Sequence, residues 1–189
     1  MKANYDIFFE ELIKHEGGFQ ADTQDKGNQR GDGHGNQGST NLGVTALVWA
    51  KYTGKPAPIE VMKQLTKEDI KPMYKEWYWD AVKADHLQNG VDISVADFGV
   101  NAGPGRAIKY LQRVAGATQD GNIGPQTLGM VHDMEVPELL RKYAQQRESY
   151  YRKLDDFPRY GKGWLRRNEK ILEKAMEMNY GQRKEKTKT

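Results

Sequence analysis

The sequence predicts a mostly α-helical domain with one glycine-rich loop that has room for a short β-hairpin. Three observations carry this. Apolar residues recur at i, i+3 and i+4 through most of the chain, as one face of a helix requires. No stretch commits to the strict alternation of a half-buried strand. Residues 17–41 hold many glycines and little apolar content, so this interval reads as a long loop.

The first helix covers residues 4–16. Tyr5, Phe8, Phe9, Leu12 and Ile13 share one face, and the next member of that series is Glu16, followed by Gly17 and Gly18. Glycine ends helices readily, so Glu16 is expected in the last turn at the edge of the buried face. Burial and the negative end of the helix dipole both raise a carboxyl pKa there, which suits a general acid. The plain alternative is a glutamate whose head reaches past the helix end into water.

A helix is expected from Thr45 to about Thr53, stopped by Gly54, Pro56 and Pro58. Thr66 can cap a helix that starts at Lys67 and runs towards Trp79, with Asp69 completing a capping box. "VDISVADFGVNAG" reads as a buried helix closed by Gly103-Pro104-Gly105, and "GRAIKYLQRVAG" as another. "DGNIGPQTLGMV" is a turn leading into a helix. A long helix follows from about Pro137 to Leu154, and a last one from about Trp164 to Tyr180. The expected organisation is a catalytic half over residues 1–90, a helical half over 91–180 integrated in the same domain, and a disordered basic tail over 181–189.

The chain has 189 residues and a mass of 21.6 kDa, with 37% hydrophobic residues, enough for one domain with a core. It has no cysteine, which excludes disulfides and thiol chemistry. No run approaches the ~20 apolar residues of a membrane span, and no signal peptide is visible. Residues 159–189 hold ten Lys or Arg against four Glu, a net +6, whereas residues 1–158 hold nineteen against twenty-two, a net −3. A basic end suits an anionic polymer such as a cell wall, an anionic membrane face or nucleic acid. It also suits a solvated surface helix.

Asp25 follows Glu16 on the loop, and Thr40 stands before the apolar "LGVTALVWA". A glutamate at a helix end, an aspartate on the next loop and a hydroxyl beyond it form a workable glycosidase set. One carboxylic acid protonates the glycosidic oxygen, and a carboxylate and a hydroxyl hold the attacking water. Asp22 competes with Asp25 for the second role, and both are ordinary turn formers beside glycine.

"EGGF", "DKG", "TNLGVT", "YKEWYWDAVKADHL", "ADFGVNAGPGRAIKYLQ", "DGNIGPQTL" and "YGKGWLRR" occur in this order. In this the chain resembles glycoside hydrolase family 108, N-acetylmuramidases known as phage endolysins and related bacterial lysozyme-like proteins. The resemblance spans roughly residues 5–175. It implies a mostly helical, lysozyme-like fold, with Glu16 of the Glu-Gly-Gly motif as the essential acid. Phage lysozymes of another family show a similar Glu, Asp, Thr order, which implies Asp25 and Thr40 as the partners of Glu16.

One feature departs from the family. "NQRGDGHGNQ" separates Asp25 from Thr40, which lie fifteen residues apart. The insert can bulge outward as a flexible loop, or it can recruit Asp32 or His34. Asp25, Asn28, Asp32 and Asn36 are oxygen donors, yet their spacing fits no EF-hand, and no metal is assigned. With Asp25 on the loop, a wide carboxylate separation and inversion of configuration are expected, and Asp32→Asn should be nearly silent.

Tyr74, Trp77, Tyr78 and Trp79 form an aromatic cluster that divides between core and sugar stacking. Trp77 and Tyr78 cannot share one helical face, so they are the candidates for substrate contact, together with Asn101. Asp97 reads as a structural acceptor. Residues 111–131 resemble small peptidoglycan-binding helical modules. Trp164 is expected to dock the last helix, with Arg166 and Arg167 holding wall anions or pairing with Asp155 and Asp156.

The expected activity is cleavage of the β-1,4 bond between N-acetylmuramic acid and N-acetylglucosamine. The alternatives are another glycan hydrolase such as a chitinase, or a non-catalytic wall-binding protein. The expected partner is peptidoglycan, met by a monomer with no cofactor, no nucleic acid and no stable membrane insertion. For a phage endolysin the location would be the host cytoplasm and then the periplasm or cell wall.

Overall fold

The computed structural model describes residues 2–14 and 17–186, with side chains placed for 4–14 and 17–181; His15 and Glu16 lie outside these residues. The chain divides into two compact units. One holds Phe9–Tyr74, and the other holds Met1–Phe8 with Lys75–Thr189. Trp79 explains this grouping: its ring packs on Tyr5 and Phe8, with centroids 5.6 and 5.5 Å apart.

Helix α1 (Lys2–Ile13) supplies residues to both units. Its stripe is as the periodicity predicts: Tyr5, Phe8, Phe9, Leu12 and Ile13 are all buried. In the Phe9–Tyr74 unit, strands β1 (Thr40–Asn41) and β2 (Val44–Thr45) form a two-stranded antiparallel hairpin at the end of the glycine-rich loop. Leu42 and Gly43 turn it, both at positive φ, 50° and 77°. That is the geometry of the two-residue turn that matches strand twist. Helix α2 (Ala46–Thr53) follows, with Thr45 accepting from the Val48 N–H as its cap. Helices α3 (Ile59–Gln64) and α4 (Lys67–Tyr74) complete the unit, and Thr66 and Asp69 close the capping box at both ends. Ala46, Ala50, Ala57 and Met62 form a small core with Phe19, Trp49 and Leu65 against it.

In the other unit, α5 (Val91–Ala102) is the central helix; its residues 91–99 are all buried. Helices α6 (Pro104–Ala115), α8 (Val136–Tyr151) and α9 (Phe157–Lys186) pack on it, and α7 (Pro125–His132) packs on α6. A π-helical turn, Lys75–Asp80, precedes α5. Gly90, at the start of α5, has φ +92°, and a Cβ there would lie 2.4 Å from the Ala175 carbonyl oxygen of α9. Only glycine permits that approach.

Helix α9 continues through Lys186, where "QRKEK" contains strong helix formers and no proline. Residues 187–189 lie outside the described residues. Among the described residues no helix is long and apolar enough to cross a membrane.

Candidate active site

The loop after α1 is organised by two amide side chains. Gln20 pairs with Thr40 through two backbone hydrogen bonds of 2.8 Å. The Gln20 Oε1 accepts from Asn28 Nδ2 at 2.7 Å and from the Asp22 N–H at 2.8 Å, and its Nε2 donates to Asp25 Oδ2 at 3.2 Å. Asn28 Nδ2 also donates to the Asp22 carbonyl at 2.9 Å, and Thr40 Oγ1 donates to Asn28 Oδ1 at 2.8 Å. Asp25 and Thr40, distant in sequence, are therefore joined through Gln20 and Asn28.

This arrangement fixes donor and acceptor roles. A threonine hydroxyl has one proton. Thr40 commits it to Asn28, so its free lone pair can accept from a water. Asp25 is exposed; one oxygen takes the Gly27 N–H at 2.7 Å and the other takes the Gln20 amide. An oriented carboxylate in reach of solvent is suited to accept a proton or hold a water. Asp22 does what aspartate does in turns: its Oδ1 accepts from the Gln24 N–H at 2.8 Å.

The insert is ordered by Asp32, which is 1% exposed. Its Oδ1 accepts from the His34 and Asn36 N–H groups at 2.8 and 3.1 Å, and its Oδ2 from Asn36 Nδ2 and the Ala57 N–H at 2.8 Å each. Burial alone would push the carboxyl up; the Asn36 amide and these backbone donors outweigh it and hold the carboxyl well below its ordinary value. At the base of the insert the backbone of Gly38 lies on Asn28, where a Cβ would meet the Asn28 carbonyl oxygen at 2.0 Å. The insert thus closes on itself and brings Thr40 back beside Asn28. The flexible loop is corrected to a tied one, and a silent Asp32→Asn is no longer expected, because four donors depend on that carboxylate. His34 is exposed, and no group of three or more His, Cys, Asp or Glu that could hold a metal occurs among the described residues.

Trp77, Tyr78 and Asn101 belong to the other unit. Tyr74 and Trp79 are core residues, while Trp77 and Tyr78 are half-buried and Asn101 is exposed. Burial raises the Tyr78 hydroxyl pKa. Asp97 is the structural acceptor expected. It is 0% exposed and receives Arg147 at 2.8 Å on one oxygen and Arg167 at 2.8 Å on the other. Arg167 is therefore engaged inside the fold by Asp97. Trp164 docks α9, with its ring 5.6 Å from that of Tyr151.

The Leu-Gln and Asp-Gly motif is a structural frame. Gln112 is buried; its Nε2 donates to Asp120 Oδ1, the Asn122 carbonyl and Thr127 Oγ1, and its Oε1 accepts from the Gly121 N–H. One amide fixes α6, the turn and α7.

The profile described as Glycosyl hydrolase 108 matches residues 9–103. The chain belongs to that family. A second profile, described as a "Predicted Peptidoglycan domain", matches residues 106–169. The structure of Brucella abortus SagA aligns with a TM-score of 0.82 and 31% identity, over 95% of this chain and 97% of that one. No curated protein sequence matches the chain. The lysozyme-like, mostly helical fold implied by the motifs stands, and the two profiles together make the chain a glycoside hydrolase of peptidoglycan.

Sequence reasoning missed Gln20, and it noticed Asn28 only as an oxygen donor of a doubtful cation site. Glu16, the residue on which the motif turns, lies outside the described residues.

Proposed function

We propose that this chain is an N-acetylmuramidase that cleaves the β-1,4 bond between N-acetylmuramic acid and N-acetylglucosamine. Glu16 is the general acid, Asp25 the base or water-positioning carboxylate, and Thr40 its helper. The observation that carries the reading is the Gln20–Asn28 bridge, which joins Asp25 to Thr40, orients the Asp25 carboxylate and leaves Thr40 a lone pair for a water. For Glu16 the support is the Glu-Gly-Gly motif and its place in the sequence at the next step of the apolar period of Tyr5, Phe8, Phe9, Leu12 and Ile13.

In the reaction Glu16 gives its proton to the leaving O4 as the C1–O bond breaks. Water adds to C1 of the muramic residue from the opposite face, and Asp25 takes its proton. Thr40 accepts the second O–H of that water and fixes its lone pair on C1. This is the inverting route, which needs a water between carboxylate and sugar. Trp77 and Tyr78 offer ring surface to pyranose C–H faces, and Asn101 an amide to a polar substituent.

Digestion of purified peptidoglycan tests the reading. Mass spectrometry of the fragments should find N-acetylmuramic acid at the new reducing ends, and NMR taken before mutarotation should show the α-anomer first. Glu16→Gln should remove at least the ~10²–10⁴-fold that a general acid contributes, with the fold intact. Asp25→Asn should cripple hydrolysis. Reducing ends of N-acetylglucosamine, or a folded Glu16→Gln protein with near-normal activity, would overturn it.

A further inference from the structure

On α6, Arg106, Lys109, Tyr110 and Arg113 fall at i, i+3, i+4 and i+7, one face of the helix. Across from them runs the turn Gln119–Gly121, and between the two lies an open groove of 510 Å³. The turn is held by the Gln112 amide at Asp120 and Gly121. Gly121 sits at φ +80°, and a Cβ there would press on Lys109 Cε at 3.3 Å. Both walls are therefore set by the fold.

The cations are preset too. The Arg113 guanidinium lies over the Tyr110 ring at 4.7 Å, and its Nε donates to Gln119 Oε1 at 3.1 Å. Arg106 lies over the Tyr150 ring at 4.9 Å and donates Nη1 to the Tyr150 hydroxyl at 2.6 Å. Each fork keeps N–H donors beyond these bonds, in the geometry that matches a carboxylate. Of the groove's residues, Asp120 alone is acidic, and its Oδ1 already takes the Gln112 amide and the Asn122 N–H. Three cations against one satisfied carboxylate leave a positive groove.

We propose that this groove binds the free carboxylates of peptidoglycan stem peptides, as a second hold on the wall apart from the glycan. This rests on peptidoglycan being the substrate. Neutral sugar rings give guanidinium forks nothing to pair with, whereas stem peptides carry several carboxylates. The helical rise sets Arg106 and Arg113 about 10 Å apart along α6. An extended peptide covers that distance in about three residues, the scale on which stem-peptide carboxylates repeat.

The test is co-sedimentation of full-length Glu16→Gln protein with purified sacculi, which the variant should bind without digesting. Adding Arg106→Gln, Lys109→Gln and Arg113→Gln should lower sacculus affinity at least tenfold with an unchanged melting curve. Lys109→Glu alone, which reverses one charge, should lower it at least threefold. Sacculi whose free carboxylates have been capped as neutral amides with a carbodiimide and ammonium should bind the protein with the cation-bearing groove no better than the triple variant. Equal binding of both proteins to intact sacculi overturns the proposal. So does binding that survives capping of the carboxylates yet needs the cations, which would assign the groove to a wall phosphate polymer. If the protein with Glu16 in place releases no reducing ends from sacculi, the hydrolase reading fails, while the binding comparison still decides the groove.

Discussion

Asp32 and Asp97 are both buried carboxylates held below their ordinary pKa, one in each unit, and the two units keep them charged in different ways. Among the described residues no cation pairs with Asp32. Its charge is spread over three backbone N–H groups and one amide, three of them within four residues. At Asp97 burial opposes the charge, and Arg167 and Arg147 outweigh it from 70 and 50 residues away. The first is a local device that shapes a loop. The second is a long-range clasp that ties α5 to α8 and α9 inside an apolar core. A loop that presents polar groups to a polymer can use backbone donors, because they are there anyway. A helical core has spent its backbone donors within its helices, so it must bring guanidinium groups.

The comparison makes its largest claim at Asp97. Asp97→Asn leaves two guanidinium groups facing an uncharged amide, one of them 1% exposed. Breaking such a buried pair on one side costs about 3–5 kcal/mol. Urea unfolding should show that loss. A change below about 1 kcal/mol would mean that water reaches the arginines and that the clasp is not a core element.

A third buried carboxylate sharpens the contrast. Asp92 accepts from Asn4 Nδ2 at 2.7 Å and from the Gly90 and Ile93 N–H groups at 2.8 and 2.7 Å, with no cation paired to it among the described residues. Here burial wins over the Asn4 amide and the backbone donors and pushes the carboxyl up to about 6 from 3.8. A raised carboxyl pKa means that the folded state binds the proton more tightly. Its stabilising contribution is complete below about pH 4 and is lost as pH rises to about 6, by at most ~3 kcal/mol. Asp32 and Asp97 act in the opposite sense: their contributions are present above about pH 4 and fade below it. Melting temperatures of the unaltered protein should carry a decline between pH 4 and 6 that Asp92→Asn lacks. Parallel curves would remove Asp92 from the account.

Asp32→Asn should cost less than Asp97→Asn, about 1–3 kcal/mol, because it sets an NH₂ against donors without stranding a charge. Proteolysis of the insert should speed up more than global unfolding does. Uniform destabilisation with an unchanged cleavage pattern would show that the insert is held by something other than this carboxylate.

What the sequence reveals divides along the same line. The stripe of α1, the Thr66–Asp69 capping box and the split of the aromatic cluster all rest on contacts a few residues long, or on burial that periodicity encodes. The motif order carried the family. The Asp97 clasp is invisible in the same text because its partners are 50 and 70 residues away, and Arg167 looks closer to Asp155 and Asp156. The π-helical turn at Lys75–Asp80 has no period of its own to read; Pro72 just before it, which lacks an N–H, is the nearest signal. Asn28 was obscured by its setting, since one asparagine in a glycine-rich insert looks like a turn residue. Its meaning depends on the closure of the loop at Gly38.

Asn28 supplies the smallest and most specific prediction. If Thr40 acts by offering a lone pair to water, it does so because Asn28 takes its proton. Asn28→Ala frees that hydroxyl to rotate and to compete for the water as a donor, and Thr40→Val removes the hydroxyl. Each should slow peptidoglycan hydrolysis about tenfold, which is ~1.4 kcal/mol in the barrier. The double variant should be hardly slower than either single one, because both remove the same interaction. Asn28→Asp offers a control: it keeps an acceptor for Thr40 but loses the donor to Gln20 and Asp22. It should retain more activity than Asn28→Ala if the hydroxyl matters most, and less if the loop's own closure does. Multiplicative losses of about a hundredfold in the double variant would separate Thr40 from Asn28, and the bridge that joins Asp25 to Thr40 would then be scaffolding alone.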